Sequence, residues 1–131
     1  MPPAHPTLRR LRKIVLILCI LAWVGAFGVS HIPGEEISKI KLPSDDLLHA
    51  FGFAVIGTLF LLSLTACGVN RLRRIWLTVG TLAMYGALDE NTQPFVHRTC
   101  DINDWYADMT CMLIAVVVVE LTLLIIERRR A

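Results

Sequence analysis

Two pairs of polar residues in this 131-residue chain repeat a four-residue spacing, Asp45 with His49 and Asp104 with Asp108. Residues four apart share one helical face about one turn apart. Asp45 at that distance favours an imidazolium at His49 and can orient its ring. Asp101 falls three residues before Asp104, so Asp101, Asp104 and Asp108 read as one acidic stripe. Glu90 and Gln93 share a face if a helix continues through Asn91, and Arg98 offers a planar donor fork suited to a carboxylate or a phosphate.

Two chemistries follow from this set. In the first, Arg98 and His49 donate to an anionic headgroup while the carboxylates orient them or recruit a divalent cation through oxygen ligands. In the second, His49 is a general acid or base and the acids hold a metal for phosphoryl or acyl transfer. Plainer roles stand beside both: a histidine bonded between helices, helix capping by Asp101 or Asp104, and an Arg98 ion pair with Glu90 or Asp108 that locks the helices. Capping does not explain Asp108, because an ionisable group below the headgroups is expensive. No P-loop, GxSxG, HExxH or CxxC motif is present.

The elements that must position these residues are apolar. The chain is 55% hydrophobic and 18% charged, with a mean hydropathy of +0.60, above the ordinary soluble range. A membrane span needs roughly 20 mostly apolar residues. Four stretches are read as spans: 14–30, 45–69, 75–89 and 105–127. The third is the shortest and carries Thr78, Thr81 and Tyr85. A soluble fold would have to cover the apolar run 112–126 on every side, which a chain this short cannot do. The expected fold is all-α, a four-transmembrane-helix bundle over residues 14–127, between a basic N-terminus (1–13) and a basic tail (128–131).

Charge fixes the expected orientation. Ten of the thirteen Lys and Arg residues flank the spans at positions 9–13, 71–74 and 128–130. Nine of the eleven acids fall on the opposite side. Basic residues stay cytoplasmic in short loops, so both termini are expected in the cytoplasm and the polar cluster outside an inner (plasma) membrane. Membrane lipids are the expected partners of the basic edges. No Lys/Arg stripe with interleaved aromatics is present, which argues against nucleic acid. An alternative reading makes the first stretch a signal peptide ending near Gly28-Val29-Ser30. Ion or proton transfer is a further alternative, but only Glu120 lies deeper than the cluster, so no relay crosses the bilayer. Glu120 is expected to be neutral or paired.

Local signals place the boundaries. Residues 1–7, with three prolines, read as a disordered tip. Ala22, Gly25, Ala26 and Gly28 give the first span a small face. Residues 31–43 form the first outer loop, and Ser44-Asp45-Asp46 starts the second span. Gly68-Val69-Asn70 has a C-cap composition. Residues 91–103 form the second outer loop, and Asp104-Trp105-Tyr106 opens the last span. Cys19, Cys67 and Cys111 read as small apolar packers, and Cys100 and Cys111 are too far apart to pair.

Two segments resemble the VanZ-like family, small integral membrane proteins named after a teicoplanin-resistance protein. Ser44-Asp45-Asp46-Leu47-Leu48-His49-Ala50-Phe51 is similar to that family's acidic-x-x-x-His-aromatic helix opening, with Asp46 where a basic residue is frequent. The segment from Glu90 through Gln93, Phe95, Arg98 and Asp101 to Asp104 is similar to its E-x-x-Q-x-(aromatic)-x-x-R-x-x-(D/S)-x-x-D signature. The chain departs from the pattern at Asp108, where the family often has Asn followed by a glycine-containing helix start. The resemblance implies a membrane-helix fold and a link to glycopeptide susceptibility through lipid-linked wall precursors. It carries no established chemistry onto these residues. The expected site is thus an outward-facing polar pocket of Asp45, His49, Glu90, Gln93, Arg98, Asp101, Asp104 and Asp108. Its ligand is a cell-envelope lipid or anionic headgroup. The alternative is a metal-assisted hydrolase or transferase acting on a lipid-linked substrate.

Overall fold

Three of the four apolar stretches fold as helices that run past their hydropathy limits, because the flanking charged residues continue them, whereas the second ends at Ala66, three residues short of its expected limit. The computed structural model describes residues 6–37, 45–98 and 100–130, and within these every regular element is helical. The order is α1 (Pro6–Ser30), a single turn α2 (Gly34–Ile37), α3 (Asp45–Ala66), α4 (Arg71–Thr92), a 3-10 turn (Gln93–Val96) and α5 (Ile102–Arg130). The Ser44 cap, Lys39, Lys41 and the side chain of Asp45 lie outside the described residues.

Three segments, Arg9–Ser30, Leu47–Ala66 and Ile102–Arg129, are long and apolar enough to cross a membrane. They lie in α1, α3 and α5. Their outward faces carry large apolar side chains such as Leu21, Val24, Phe51 and Ile114. In water such a surface would be an aggregation liability; in hydrocarbon it is the solvated one.

The helix α4 does not meet the same apolar standard, since its ends hold Arg71, Arg73, Arg74, Asp89 and Glu90. Its faces are nevertheless sorted. Arg74, Thr78, Leu82, Gly86, Asp89 and Glu90 are buried, a stripe at helical spacing turned into the bundle. Leu72, Trp76, Met84 and Leu88 point outward and are each more than 60% exposed. The inner face thus carries two acids, an arginine and a threonine among its six buried residues.

The central helix is α3, which packs on α1, α4 and α5. The core joins Phe53, Ile56 and Leu61 of α3 to Leu82 of α4 and Met109, Met112 and Val116 of α5. Close approach depends on two glycines. A Cβ at Gly57 would lie 3.0 Å from Met112 Cγ, and one at Gly86 would lie 3.0 Å from Trp105 Cδ1 and 3.2 Å from the Phe53 ring. Trp105 therefore fills the α4–α5 seam, and its indole N–H donates to the Ala83 carbonyl at 3.2 Å.

The α3–α4 turn shows how sequence sets the boundary. Gly68 has φ +77°, a left-handed conformation that suits glycine. Its N–H donates to the Thr65 carbonyl and the Val69 N–H to that of Leu64, which satisfies two orphan carbonyls of α3. Asn70 belongs to the next helix: its side chain accepts from the Arg73 N–H and caps the start of α4.

At this end of the bundle Glu120 is paired. Arg74 donates to it twice, Nε to Oε1 at 2.6 Å and Nη2 to Oε2 at 2.9 Å, and Arg71 Nε adds a third bond at 3.1 Å. Arg74 and Glu120 are 7% and 4% exposed, so this is a buried bidentate pair.

Candidate functional site

The other end of the bundle gathers the remaining polar residues, and Asp89 is its hub. Asp89 is the last but one acidic position of the inner α4 stripe and is 4% exposed. Its Oδ1 accepts from the Ser30 hydroxyl at 2.7 Å, and its carboxylate lies 3.9 Å from both His31 Nδ1 and His49 Nδ1. One carboxylate thus joins the C-terminus of α1, the first turns of α3 and the end of α4.

Arg98 closes the site from the loop after the 3-10 turn. Its Nη1 donates to the Ser30 carbonyl at 3.0 Å, and its Nη2 lies 3.3 Å from His49 Nε2. A guanidinium only donates, so Nε2 of His49 accepts. The ring proton then sits on Nδ1, which faces Asp89 and, at 4.0 Å, Asp108 Oδ2. Burial pushes the Arg98 guanidinium down from its ordinary value, and the nearby Asp104 charge opposes that shift.

Glu90 and Gln93 are joined as a pair. The helix continues through Asn91 to Thr92, and Gln93 Nε2 donates to Glu90 Oε1 at 2.9 Å. The other Glu90 oxygen accepts the Asp101 backbone N–H at 3.2 Å, tying the loop to α4. The Asp101 side chain itself is exposed and accepts from the Asn103 backbone and amide N–H groups, a turn at the entry to α5. Because α5 begins at Ile102, Asp101 stands before the helix and off the stripe of Asp104 and Asp108. Asp104 is half-buried, and Asp108 is 2% exposed.

No family model, curated protein or solved structure matches this chain.

Of the residues singled out by spacing, His49, Glu90, Gln93, Arg98 and Asp108 converge at this end of the bundle. Asp104 flanks them, and the Asp45 side chain falls outside the described residues. Sequence reasoning left out Ser30, His31 and Asp89 as site residues. His31 stacks on Phe27 with ring centroids 4.1 Å apart, and its Nε2 lies 3.0 Å from Thr92 Oγ1. The signal for Asp89 was its place on the stripe with Thr78, Leu82 and Gly86. For Ser30 and His31 no local signal exists. The other loop histidine, His97, is an exposed turn residue with φ +58°.

Below the cluster, a cavity of about 320 Å³ opens between α1 and α3. Gly25, Ala26 and Gly52 give it small-residue walls, and a Cβ at Gly25 or Gly52 would meet nothing within 4 Å. Phe51 and Val29 stand exposed at its sides, while Ser30, His49 and Asp89 form its polar end. The cavity is amphipathic along its length.

The electrostatics are unbalanced toward negative charge. Asp89, Glu90 and Asp108 are all at least 96% buried and converge on one guanidinium and two imidazoles among the described residues. Two unit charges about 4 Å apart interact by roughly 4 kcal/mol at an effective dielectric constant of about 20. Glu90 and Asp108 each bring a ligand oxygen to within 4.8 Å of the other, so ionising both at once is disfavoured. His49, Glu90 and Asp108 each offer one ligand atom, and those atoms lie within 4.8 Å of one another.

Proposed function

We propose that this chain is a four-pass membrane protein, similar to the VanZ-like family, that binds an anionic lipid of the cell envelope. The acyl chain occupies the α1–α3 cavity, and the headgroup meets Arg98 and His49 at the polar end. The observation that carries this reading is the cavity itself: apolar along α1 and α3, open at the side, and closed at one end by Ser30, His49 and Asp89. An amphiphile has that same order of surfaces. Ligand sites are commonly apolar clefts with a few convergent polar groups.

The membrane arrangement is part of the proposal. The fourth crossing is assigned to α4, whose 22 residues extend about 33 Å. Its outward apolar face supports this, and its buried polar residues find partners inside. The basic residues at 9–13, 71–74 and 128–130 belong to the Glu120 end, which is placed in the cytoplasm. The Asp89 end then faces the wall or periplasm, where lipid-linked wall precursors are one class of ligand.

The test is mass spectrometry of lipids that co-purify with the detergent-solubilised protein, wild type against Gly52→Leu and Arg98→Gln. Gly52→Leu adds bulk at a cavity wall where an added Cβ meets nothing within 4 Å. Retention of anionic lipid by wild type and its loss in both variants supports the reading. Equal lipid content in all three contradicts it.

A further inference from the structure

We propose that His49, Glu90 and Asp108 form a site for a first-row divalent metal ion, which turns an acid-rich pocket into one that accepts an anion. The three ligands come from α3, α4 and α5, and one ligand atom from each lies within 4.8 Å of the others. Small rotamer changes bring such a set to the spacing of a nitrogen-and-oxygen shell around one ion. The His49, Glu90 and Asp108 side chains are at most 9% exposed, and Glu90 is held in place: Gln93 Nε2 donates to its Oε1 and the Asp101 backbone N–H to its Oε2. An imidazole in the set favours Mn²⁺ or Zn²⁺ over Mg²⁺ or Ca²⁺. Three protein ligands leave a coordination position open, as in sites that bind a further group.

The histidine geometry links this metal to Arg98. The nitrogen facing the carboxylates is Nδ1, while Nε2 accepts from Arg98 Nη2. A metal on Nδ1 requires the proton on Nε2, and a protonated Nε2 cannot accept from a guanidinium. Metal binding therefore turns that Arg98 donor away from His49 and frees it for an incoming phosphate oxygen. The ion also offsets the carboxylates that would otherwise repel the phosphate. What fills the open position rests on the lipid reading; the metal site itself does not.

The experiment uses the full chain in detergent, stripped with EDTA, delipidated, reloaded with micromolar MnCl₂ or ZnCl₂ and desalted. Metal is counted by mass spectrometry, and thermal melting is followed in parallel. The expected result is one ion per chain and a melting temperature raised by the metal. His49→Gln, Glu90→Gln and Asp108→Asn each lose the ion and the metal-dependent shift, whereas Asp101→Asn keeps both. The metal-free melting curve of each variant shows whether it folds, and loss of metal counts only from a folded variant. If none of the three folds, the wild-type stoichiometry decides alone. A metal-free wild type, or folded variants that bind as wild type does, overturns the proposal. A second arm adds vesicles of phosphatidylglycerol or of phosphatidylcholine. Metal bound without any gain in phosphatidylglycerol retention sinks the lipid reading and leaves the metal site. Phosphatidylglycerol retained equally in EDTA by a metal-free chain does the reverse.

Discussion

Arg98 reaches 68 residues back along the chain to donate to the backbone carbonyl of Ser30 at 3.0 Å. That carbonyl is at the C-terminus of α1, where helix carbonyls lack intrahelical donors and carry the negative end of the dipole. A cation there satisfies an orphan acceptor, and the same guanidinium holds His49 of α3 at 3.3 Å. One loop residue thus joins two helices that also wall the cavity.

Replacing Arg98 should cost more than removing an ordinary surface charge. Arg98→Ala deletes at least the bonds to the Ser30 carbonyl and to His49, each worth about 1.5–3 kcal/mol, and removes the positive charge beside His49. Arg98→Lys keeps the charge without the fork and should recover only part of the loss. Thermal melts in detergent check this, with exposed Arg12→Ala as the tolerant reference. Equal melting of Arg98→Ala and Arg12→Ala would show that the guanidinium does not couple the helices.

At the opposite end, Glu120→Ala strands the buried Arg74 and should destabilise the bundle by about 3–5 kcal/mol. The double variant Arg74→Met with Glu120→Leu removes both charges and should regain most of that loss. Unfolding of all three proteins in denaturant measures the difference. A double variant weaker than Glu120→Ala would mean that the pair does more than satisfy itself.

Glycines give paired, opposite outcomes for the same change. At Gly86 an added methyl lies 3.0–3.2 Å from Trp105 and Phe53, so Gly86→Ala should lose about 1–3 kcal/mol through overpacking. At Gly25 the same methyl meets nothing within 4 Å, and Gly25→Ala should be neutral or gain up to about 1 kcal/mol of helix propensity. Melting temperatures that move together would contradict the close α4–α5 approach.

The crossing assigned to α4 is read by thiol labelling. Cys67 directly follows α3 and Cys100 follows α4, and both are exposed. In single-cysteine variants, a membrane-impermeant maleimide applied to intact spheroplasts should label Cys100 at once and Cys67 only after permeabilisation. Labelling of both from one side would remove α4 as a span.

Much of the helical framework was legible, because apolar runs and caps are local. The Glu90–Gln93 bond followed from a three-residue spacing once the helix continued through Asn91. The depth of Asp108 followed from its place one turn beyond Asp104. What spacing could not give was which helix faces which. Ser30 meets Asp89 across 59 residues, and His31 meets Thr92 across 61, so neither partner is visible in either local segment. Asp101 shows the converse: it fits the acidic spacing, yet the helix starts one residue later and its side chain turns to Asn103. An average hydropathy over α4 also does not record that Arg74, Asp89 and Glu90 are buried in the bundle while Arg71 and Arg73 stay exposed.

The most direct measurement is photocrosslinking with an anionic diacyl phospholipid that carries a diazirine in its acyl chain, followed by peptide mapping. The account predicts labelling concentrated on the α1 and α3 segments around Gly25 and Gly52, competed by unlabelled anionic lipid and lost in Gly52→Leu. Labelling spread evenly over the outward faces of α1, α4 and α5, and unchanged in Gly52→Leu, would contradict it.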